Sequence, residues 1–496
     1  MRSYLLLLTT TLLLQRQQAT GQQPVNFDTV RFGPVSYAIG YSVFEADSGY
    51  MVFNLQKFSG TSFQDLVVSK FDVGGGFMSE VHHASYSADW IGSSSPAVTV
   101  YDGFVSGVAH FGFGAVDSLF VYKFNGSGDT VWTRFIGADS SLVHRATART
   151  LDGDLLLAGT RDPGRKAYIF HLDSVGNIMG YHPYDDFNGE DVVEGRDGRW
   201  YVCGMGNQPS NYGRGVLVRS DTNGTQIWRR TLTDEAPGWY KSVVALCDSS
   251  VLCLGVGRPD ENAYGNFSLA IKYDTNGNVV WRKDLYESES DSWPSTFHAG
   301  YEAQDGSLIL AGWYRSFAIR DAGLIVKLTA DGDTLWHRFY SHYPGAAYHK
   351  DQIFWDVKPT SDGGMVLTGE TNSDDYDYAQ LWLLKLDSMG CLVPGCGSVG
   401  VHEITDLFNG KLVVAPNPAS DRVSVALDLT EGVDVSGQVR AVLLDEFGRM
   451  VLEQTVQQNL NQLRATLDVS ALPAGTYYLH VRDAKRWLAG SKVIVE

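Results

Sequence analysis

Charged residues are scarce in this sequence, and those present are mostly acidic. Only 19% of the 496 residues are charged, and 57 Asp and Glu against 39 Lys and Arg give a formal net charge of −18. An acidic chain is repelled by the phosphate backbone of nucleic acids and by anionic lipid headgroups. Neither nucleic acid nor an anionic membrane surface is therefore an expected partner.

Motifs that mark common catalytic and metal sites are also missing. The chain contains no G-x-S-x-G, no H-E-x-x-H and no G-x-x-x-x-G-K-[ST]. Histidines such as His82, His83, His342 and His349 are not spaced as metal ligands, and no C-x-x-C pair is present. The sequence therefore nominates no catalytic residue, no metal ligand and no cofactor.

Long apolar runs are absent except near the N-terminus. There Arg2 is followed by an apolar run from Tyr4 to Leu14 and then by polar residues up to Gly21. A run of about 11 residues is too short to span a bilayer and is typical of a secretory signal. We predict a signal peptide at residues 1–21 and no transmembrane segment in the mature chain.

Cysteine is rare as well, with five residues in the chain. Cys391 and Cys396 lie close together in the sequence, and an exported location permits disulfides, so this pair is the best candidate for one. A bridge between Cys247 and Cys253 looks strained from their expected positions on a hairpin. We predict that these two residues and Cys203 are reduced and buried.

A repeat of about 50 residues organises most of the chain, as in propellers and other repeat arrays. Each copy has an apolar run that ends in Asp or Asn, a tight turn containing glycine, and a second run, as in YDTNGNVVW at 273–281. The turn glycines recur at intervals of 53, 48, 48, 53, 55 and 58 residues and are Gly75, Gly128, Gly176, Gly224, Gly277, Gly332 and Gly390.

A second hairpin lies upstream of this turn, as in TLDGDLLLAG at 150–159 and AQDGSLILAG at 303–312. Glycine suits a hairpin position with positive φ, and Asp or Asn bonds its own backbone two residues on. Two hairpins make four short strands, which is the content of one propeller blade.

A tryptophan recurs four residues after the turn glycine, at Trp132, Trp228, Trp281 and Trp336. An aromatic residue that recurs at one site of a repeat is far more often a packing residue than a functional one, because its large body seals neighbouring units. We predict that these tryptophans pack between blades.

The two ends of the repeat array complement each other. Residues 27–33 resemble the last strand of a repeat, such as 129–137, without its tryptophan, while the seventh repeat stops after 381–390. The simplest arrangement is that 27–33 pairs with 381–387 and completes the final blade. This closure removes two exposed sheet edges and gives seven blades.

Residues 114–137 and 370–390 also resemble the repeats of secreted bacterial seven-bladed propellers, and the turn with its tryptophan is similar to repeats of quinoprotein-like propellers. The resemblance covers residues 24–398. It implies an all-β fold, a seven-bladed β-propeller, and does not select an activity, because propellers carry unrelated functions.

A different pattern begins after a linker at 399–410. Alternating strands separated by turn residues, as in 413–427 and 467–481, predict a small C-terminal β-sandwich over 411–496.

This segment resembles the C-terminal sorting domain of proteins exported by the type IX secretion system. The resemblance implies export by the type IX machinery, removal of the domain by its sortase, and release or attachment at the cell surface. The matching residues are Pro416, Asn417, Pro418, Asp445, Gly448, Arg449, Leu472, Pro473, Gly475, Thr476, Tyr477 and 492–496.

Long loops provide the candidate binding surface. The loops between the second and third strands and between blades are long, and strand alternation places both classes on one face of the ring. Aromatic residues among Asp, Asn, Ser and Gly are typical of recognition surfaces, and half-buried loop packing is the equally weighted alternative. The residues predicted to bind a ligand are Trp239, Tyr240, Trp293, Tyr314, Tyr343, Tyr348, Trp355 and Tyr376.

Two functions are compatible with these patterns. The favoured one is an exported, non-enzymatic surface or secreted propeller that binds a protein or glycan through its long-loop face. The alternative is a secreted enzyme, either a hydrolase or lyase or a quinone-dependent oxidoreductase, with its site at the central channel. Three or more acidic or histidine side chains converging at the channel mouth would favour the enzyme.

Overall fold

The structure is a computed structural model, and its description covers residues 26–31, 35–46, 48–58, 64–83, 88–90, 97–100, 102–112, 115–137, 142–161, 166–207, 213–233, 238–258, 267–285, 295–316, 320–343, 351–373, 376–392, 412–428, 438–445, 450–459, 462–483 and 487–496. The predicted signal peptide and linker lie outside these residues and stay predictions.

The first part of the described chain consists of short strands. They are β1 Phe27–Arg31, β2 Val35–Ala46, β3 Gly49–Phe58, β4 Gln64–Phe71, β5 Phe77–His83, β6 Ala88–Trp90, β7 Ala97–Val100, β8 Gly103–Gly112, β9 Ala115–Phe124, β10 Thr130–Gly137, β11 Leu142–Arg149, β12 Leu155–Arg161, β13 Lys166–Leu172, β14 Ile178–Tyr184, β15 Phe187–Glu194, β16 Trp200–Gly206, β17 Gly215–Ser220, β18 Gln226–Thr231, β19 Gly238–Ala245, β20 Val251–Gly257, β21 Phe267–Tyr273, β22 Val279–Leu285, β23 Thr296–Glu302, β24 Leu308–Ser316, β25 Arg320–Leu328, β26 Thr334–Tyr340, β27 Gln352–Pro359, β28 Met365–Ser373 and β29 Tyr376–Leu386.

These strands form seven antiparallel sheets, and each sheet is one blade of a propeller. The first strands of neighbouring blades contact one another around the ring, as β15 does with β11 and β19, so they line a central channel. The seven-bladed all-β fold predicted from the repeats is confirmed. The blades, in order, are β2–β5, β6–β10, β11–β14, β15–β18, β19–β22, β23–β26, and β27–β29 completed by β1.

The closure predicted for the last blade is also confirmed over the described residues. β1 is the outermost strand beside β29, and its register pairs Phe27 with Lys385 and Arg31 with Leu381. Residues 32 and 33 of the predicted strand lie outside the description. The N-terminal strand therefore supplies the edge that the seventh repeat lacks.

The apolar core lies in the seams between blades. Each seam holds one cluster of buried side chains drawn from two neighbouring sheets, for example Val202 of blade 4 facing Ala158 of blade 3 within one cluster. Seven such clusters close the ring. The chain therefore buries its strands on both faces, which explains their continuous apolar runs.

The turns that end the third strands follow the predicted chemistry. In blade 3, Asp173 Oδ1 accepts from the backbone N–H groups of Val175 at 3.0 Å and Asn177 at 2.8 Å, and Gly176 has a φ of +86°. Asp274 in blade 5 makes the same two bonds, each of 2.8 Å, to Asn276 and Asn278. Hydrogen bonds to backbone N–H groups therefore explain the Asp residues in these turns, and no bound cation is needed to explain them.

The C-terminal segment forms two four-stranded sheets with one shared core, as expected for a small β-sandwich. Their strand orders are β30-β31-β35-β34 and β33-β32-β36-β37. The strands are β30 Val413–Ala415, β31 Arg422–Asp428, β32 Arg440–Leu444, β33 Met450–Thr455, β34 Gln457–Asn459, β35 Gln462–Asp468, β36 Gly475–Arg482 and β37 Trp487–Val495.

A tryptophan-lined pocket as candidate functional site

The first strand of six blades carries a β-bulge at one equivalent position. At each bulge the strand has one extra residue that is not paired with the second strand. The side chain of this unpaired residue is therefore turned relative to the regular pleat. In blade 2 the corresponding segment, between β6 and β7, lies outside the description. The extra residues are Tyr41, Arg145, Glu190, Lys241, His298 and Trp355.

Three pairs of bulge residues from neighbouring blades contact each other. Lys241 Nζ lies 3.6 Å from Glu190 Oε2. The ring of Trp355 lies 4.2 Å from that of His298 and 5.5 Å from that of Tyr41, measured between centroids. We call this set, completed by Arg145, the bulge ring.

One cavity of about 750 Å³ lies on the side of the bulge ring from which the first strands start, and its walls come from blades 5 to 7. A second cavity of about 590 Å³ is lined by residues that follow the bulges in the other six blades and by Ala97, Val98 and Thr99 of blade 2. We call the first cavity the tryptophan pocket. Its lining consists of Trp239, Lys241, Val256, Thr296, His298, Trp313, Arg315, Asp351, Ile353 and Trp355.

Each tryptophan of the pocket is held by a polar partner. The guanidinium carbon of Arg258 lies 4.7 Å from the ring centroid of Trp239. Arg315 stands over Trp313 in the same way, also at 4.7 Å. Stacked cations and hydrogen bonds fix the orientation of aromatic rings, so the pocket walls are preorganised.

The third tryptophan is fixed from behind by a buried acid. The indole Nε1 of Trp355 donates to Glu370 Oε1 at 3.0 Å, and only 6% of Glu370 is exposed. Burial, together with the nearby Asp351, raises the pKa of Glu370 to about 8. At neutral pH Glu370 is therefore mostly a neutral carboxylic acid.

His298 is also neutral because of burial, which shifts the pKa of an imidazole in the opposite direction. Burial, aided by the positive charge of Lys241, lowers the pKa of His298 to about 3. An imidazole in this state is an uncharged hydrogen-bonding group at every physiological pH.

The charges in and behind the pocket are balanced within the protein. Arg315 donates to Asp321 through both Nε and Nη2, the second bond being 2.9 Å long, and its Nη2 also lies 3.8 Å from Asp351 Oδ1. Lys241 has Glu190 as its counterion. The pocket therefore combines apolar ring surface with hydrogen-bonding groups and carries little net charge.

Asp191, which lines the second cavity, links two neighbouring blades. Asp191 Oδ2 accepts from Ser242 Oγ at 2.8 Å and from the backbone N–H of Val243 at 2.9 Å, which joins the first strands of blades 4 and 5. Burial raises the pKa of Asp191 to about 6. Asp356 Oδ2 likewise accepts from the backbone N–H of Val43 at 3.1 Å across the seam between blades 7 and 1.

Only part of the predicted binding surface comes together. Trp239 and Trp355 both line the tryptophan pocket. Tyr240 does not belong to any surface, because it is 1% exposed and its hydroxyl lies 2.6 Å from that of Tyr273 in the seam between blades. Strand alternation explains the correction, since neighbouring residues of a strand face opposite ways.

The other predicted residues take different positions. Tyr314 is half-buried and packs on Phe339 with 4.9 Å between ring centroids, and Tyr343 donates to Gln380 Oε1 at 3.2 Å. Tyr376 begins β29, but its side chain lies outside the description, as do Trp293 and Tyr348 altogether. A role in binding stays a prediction for these residues.

Sequence reasoning missed Trp313, His298, Arg315 and Glu370. A signal was available for one of them, because His298 stands at the same repeat position as Trp355 and Lys241. Trp313 and Arg315 instead extend the second strand of blade 6 beyond the AQDGSLILAG hairpin motif. Their contribution depends on how blades 5 to 7 curve around the channel.

The cysteines follow the predictions in part. Cys391 is disulfide-bonded, and its predicted partner Cys396 lies outside the described residues, so the pairing stays a prediction. Cys203, Cys247 and Cys253 are free, as predicted, but Cys247 is exposed rather than buried.

In the sandwich, two of the predicted sorting residues, Asn417 and Tyr477, bond to backbone groups of the same domain. Asn417 Nδ2 donates to Lys492 O at 2.8 Å, and its Oδ1 accepts from the backbone N–H of Ile494 at 2.8 Å. Tyr477, which follows Gly475 in β36, donates its hydroxyl proton to Pro473 O at 2.7 Å. Pro416 and Pro418 flank Asn417, and Gly448 lies outside the description.

Within the described residues, no group of three or more His, Cys, Asp or Glu side chains is arranged to hold a metal ion. The same part of the chain has no helix with the length and apolarity needed to cross a membrane.

Comparisons with known proteins separate the two parts of the chain. Residues 413–496 match the family described as the secretion system C-terminal sorting domain. No curated protein matches the sequence.

Among solved structures, the chain is similar to several proteins at low sequence identity. The β-propeller domain of the Trilobed protease from Pyrococcus furiosus is 10% identical with a TM-score of 0.37, and the match covers 70% of this chain and 92% of that one. A quinonprotein alcohol dehydrogenase-like protein from Bacteroides thetaiotaomicron is 13% identical with a TM-score of 0.28, covering 92% and 98%.

The acylaminoacyl peptidase of Pyrococcus horikoshii is 10% identical with a TM-score of 0.41, and 81% of this chain matches 59% of that chain. None of these three likenesses indicates an activity for the chain described here. The fold and the family match together identify the chain as a seven-bladed β-propeller protein with a C-terminal sorting domain, exported by the type IX secretion system to the cell surface or the medium.

Proposed function

We propose that this exported propeller binds a neutral carbohydrate in the tryptophan pocket. The observation that carries the proposal is the meeting of three oriented tryptophans, Trp239, Trp313 and Trp355, around one cavity of about 750 Å³. This volume lies within the range of roughly 300–1,000 Å³ that is usual for small-ligand pockets. Indole faces suit the apolar faces of sugar rings, and rings held in advance lose little entropy on binding.

The polar groups of the pocket favour a sugar over an apolar ligand. Thr296, Lys241, His298 and Asp351 line the same cavity and offer donors and acceptors at several points. A ligand with many hydroxyl groups satisfies these groups, whereas an apolar ligand would leave them desolvated without partners.

The charge balance favours a neutral sugar over a charged ligand. A cationic ligand would meet Lys241 and the guanidinium of Arg315, and an anionic ligand would meet Asp351. Because each of these charges has a counterion in the protein, a charged ligand would have to displace an existing ion pair. The overall charge of −18 further disfavours an anionic polysaccharide.

The test is a binding screen with the mature full-length protein against immobilised neutral and charged glycans, followed by titration calorimetry of each hit. We expect neutral glycans to bind and Trp239→Ala to weaken binding about tenfold or more. Trp281→Phe is the matched control, because Trp281 lies on the outermost strand of blade 5, far from the channel. Binding confined to proteins or to acidic glycans would overturn the proposal.

A hydrolase that acts on the same carbohydrate is the second candidate. The observation in its favour is that two candidate acid–base groups, His298 and Asp351, line the pocket. Binding is favoured over hydrolysis because Glu370 stands behind Trp355 and its Oε1 is engaged by the indole. Release of reducing ends from a bound glycan, abolished by Asp351→Asn, would establish the hydrolase instead.

A further inference from the structure

The bulge ring lies at the channel end of the tryptophan pocket. Glu190, His298 and Tyr41 are each no more than 6% exposed, so these side chains are tightly packed there. The ring contacts of Trp355 with His298 and Tyr41 continue this floor across the seam between blades 7 and 1. A ligand in the pocket therefore meets packed side chains at its inner end.

The second cavity lies beyond this floor and is separate from the pocket. It is lined by the residues that follow the bulges, such as Val192, Val243 and Ala299, and it shares no lining residue with the pocket. The bulge residues therefore lie between the pocket and the second cavity in the described part of blades 5 to 7.

The walls of the pocket also rise on more than one side. Trp239 and Lys241 belong to β19 of blade 5, Trp313 and Arg315 to β24 of blade 6, and Trp355 to β27 of blade 7. An open groove would present tryptophans along one line, so that a polymer passes over them. Here the tryptophans come from three blades of a closed ring and share one cavity.

From this shape we propose that the pocket recognises the end of a neutral saccharide chain rather than its interior. The inference rests on the proposed carbohydrate binding and deepens it. A terminal sugar exposes one more hydroxyl than an internal one, and the pocket floor supplies uncharged and charged hydrogen-bonding groups in His298 and Lys241 to meet it. The rest of the saccharide extends out through the mouth of the pocket.

Stoichiometry distinguishes end recognition from recognition of internal units. The probes are gluco-, xylo- and manno-oligosaccharides from disaccharide to hexasaccharide, with their parent polysaccharides, titrated calorimetrically into the mature full-length protein. End recognition predicts that one protein binds each saccharide chain, whatever the length of the saccharide. It also predicts that the affinity per mole of saccharide stops rising once the saccharide is long enough to fill the pocket.

Two variants test the floor of the pocket. Lys241→Met is expected to weaken binding of the disaccharide and of the hexasaccharide by the same factor, about tenfold, because both place a terminal unit at the floor. Arg229→Met, on the outermost strand of blade 4, is the control and should leave both affinities unchanged.

The possible results separate the two proposals. A number of bound proteins that rises with chain length would overturn end recognition and leave carbohydrate binding in place. A Lys241→Met effect on long chains only would also overturn it. If none of the neutral saccharides binds, the proposed function itself fails and end recognition fails with it.

Discussion

Trp281 of blade 5 covers Gly332 in the turn of blade 6. A Cβ at Gly332 would come within 3.0 Å of the indole Cδ2, and the indole Nε1 donates to Ala330 O at 3.1 Å. Gly332 has a φ of +85°, a conformation that glycine adopts more easily than other residues. Glycine is therefore favoured here both by the backbone conformation and by the close approach of Trp281. The tryptophan and the turn glycine of the repeat are thus two halves of one contact between blades.

The same contact recurs around the ring with different aromatic residues. Trp132, Trp228 and Trp336 lie over Gly176, Gly277 and Gly390 of the following blades. Where the repeat lacks its tryptophan, His182 lies over Gly224 and Phe27 over Gly75. The predicted packing role of the repeated tryptophans is consistent with these contacts.

We predict that Trp281→Ala lowers the free energy of unfolding by about 2 kcal/mol, less than a fully buried aromatic would because Trp281 is half-buried. Urea denaturation followed by circular dichroism measures the loss. Val280→Ala is the matched control on the same strand, since Val280 is 54% exposed and should change stability by less than about 0.5 kcal/mol. Equal effects of the two substitutions would contradict the seam contact.

We predict that Asp28→Ala weakens the closure of the ring. Asp28 Oδ1 accepts from the indole Nε1 of the buried Trp382 at 2.8 Å and lies 2.8 Å from His342 Nδ1. Loss of the acceptor leaves a buried indole N–H without this partner, at a cost of about 1–3 kcal/mol. The unfolding midpoint in urea measures it.

Thr29→Ala, at the next position of β1, is the control for this substitution. It should leave the midpoint nearly unchanged. An Asp28→Ala protein as stable as the Thr29→Ala protein would show that the polar bond does not contribute to closure.

We predict that stability falls as the pH rises through neutrality to about 8, because of Glu370. Its pKa of about 8 in the folded protein lies above the ordinary value for an unfolded chain, so the folded state holds this proton more tightly. The resulting stabilisation is complete below about pH 4.3 and is lost as the pH rises to about 8. Urea midpoints between about pH 6.5 and 8.5 measure the slope.

Glu370→Gln is the matched variant, because it keeps the acceptor for Trp355 and removes the titrating proton. Its stability should depend less on pH over this window. Asp191 and His298, with pKa values of about 6 and about 3 in the folded protein, titrate alike in the wild type and the variant, so the difference between the two slopes isolates Glu370. A wild-type slope in the variant would contradict the role of Glu370.

We predict that deletion of 411–496 leaves the melting temperature of the ring nearly unchanged and abolishes delivery. The buried core of the sandwich consists only of residues between Ala419 and Val495, so its removal takes no buried side chain from the blades. Calorimetry of the truncated protein tests stability. Fractionation of the native host tests export, with retention in the periplasm as the expected result and arrival at the surface as the contrary one.

Residue order alone determined the architecture of this protein. The spacing of Gly75 to Gly390 set the number of blades, and FDTVR at 27–31 marked the closing strand, because turn geometry and strand period are local properties of the chain. The sorting motif could also be recognised in the sequence, because Asn417 and Tyr477 hydrogen-bond to backbone groups within their own small domain.

The pocket was decided by the tertiary structure. Trp239, Trp313 and Trp355 come from three different blades, and the sequence does not state which side of a strand faces the channel. Trp239, in the pocket, and Tyr240, in the seam, are adjacent in the sequence, and only the fold shows which of the two alternating sides faces the pocket. The neutrality of Glu370 and His298 arises from burial and from charges brought near by folding, which no local pattern encodes.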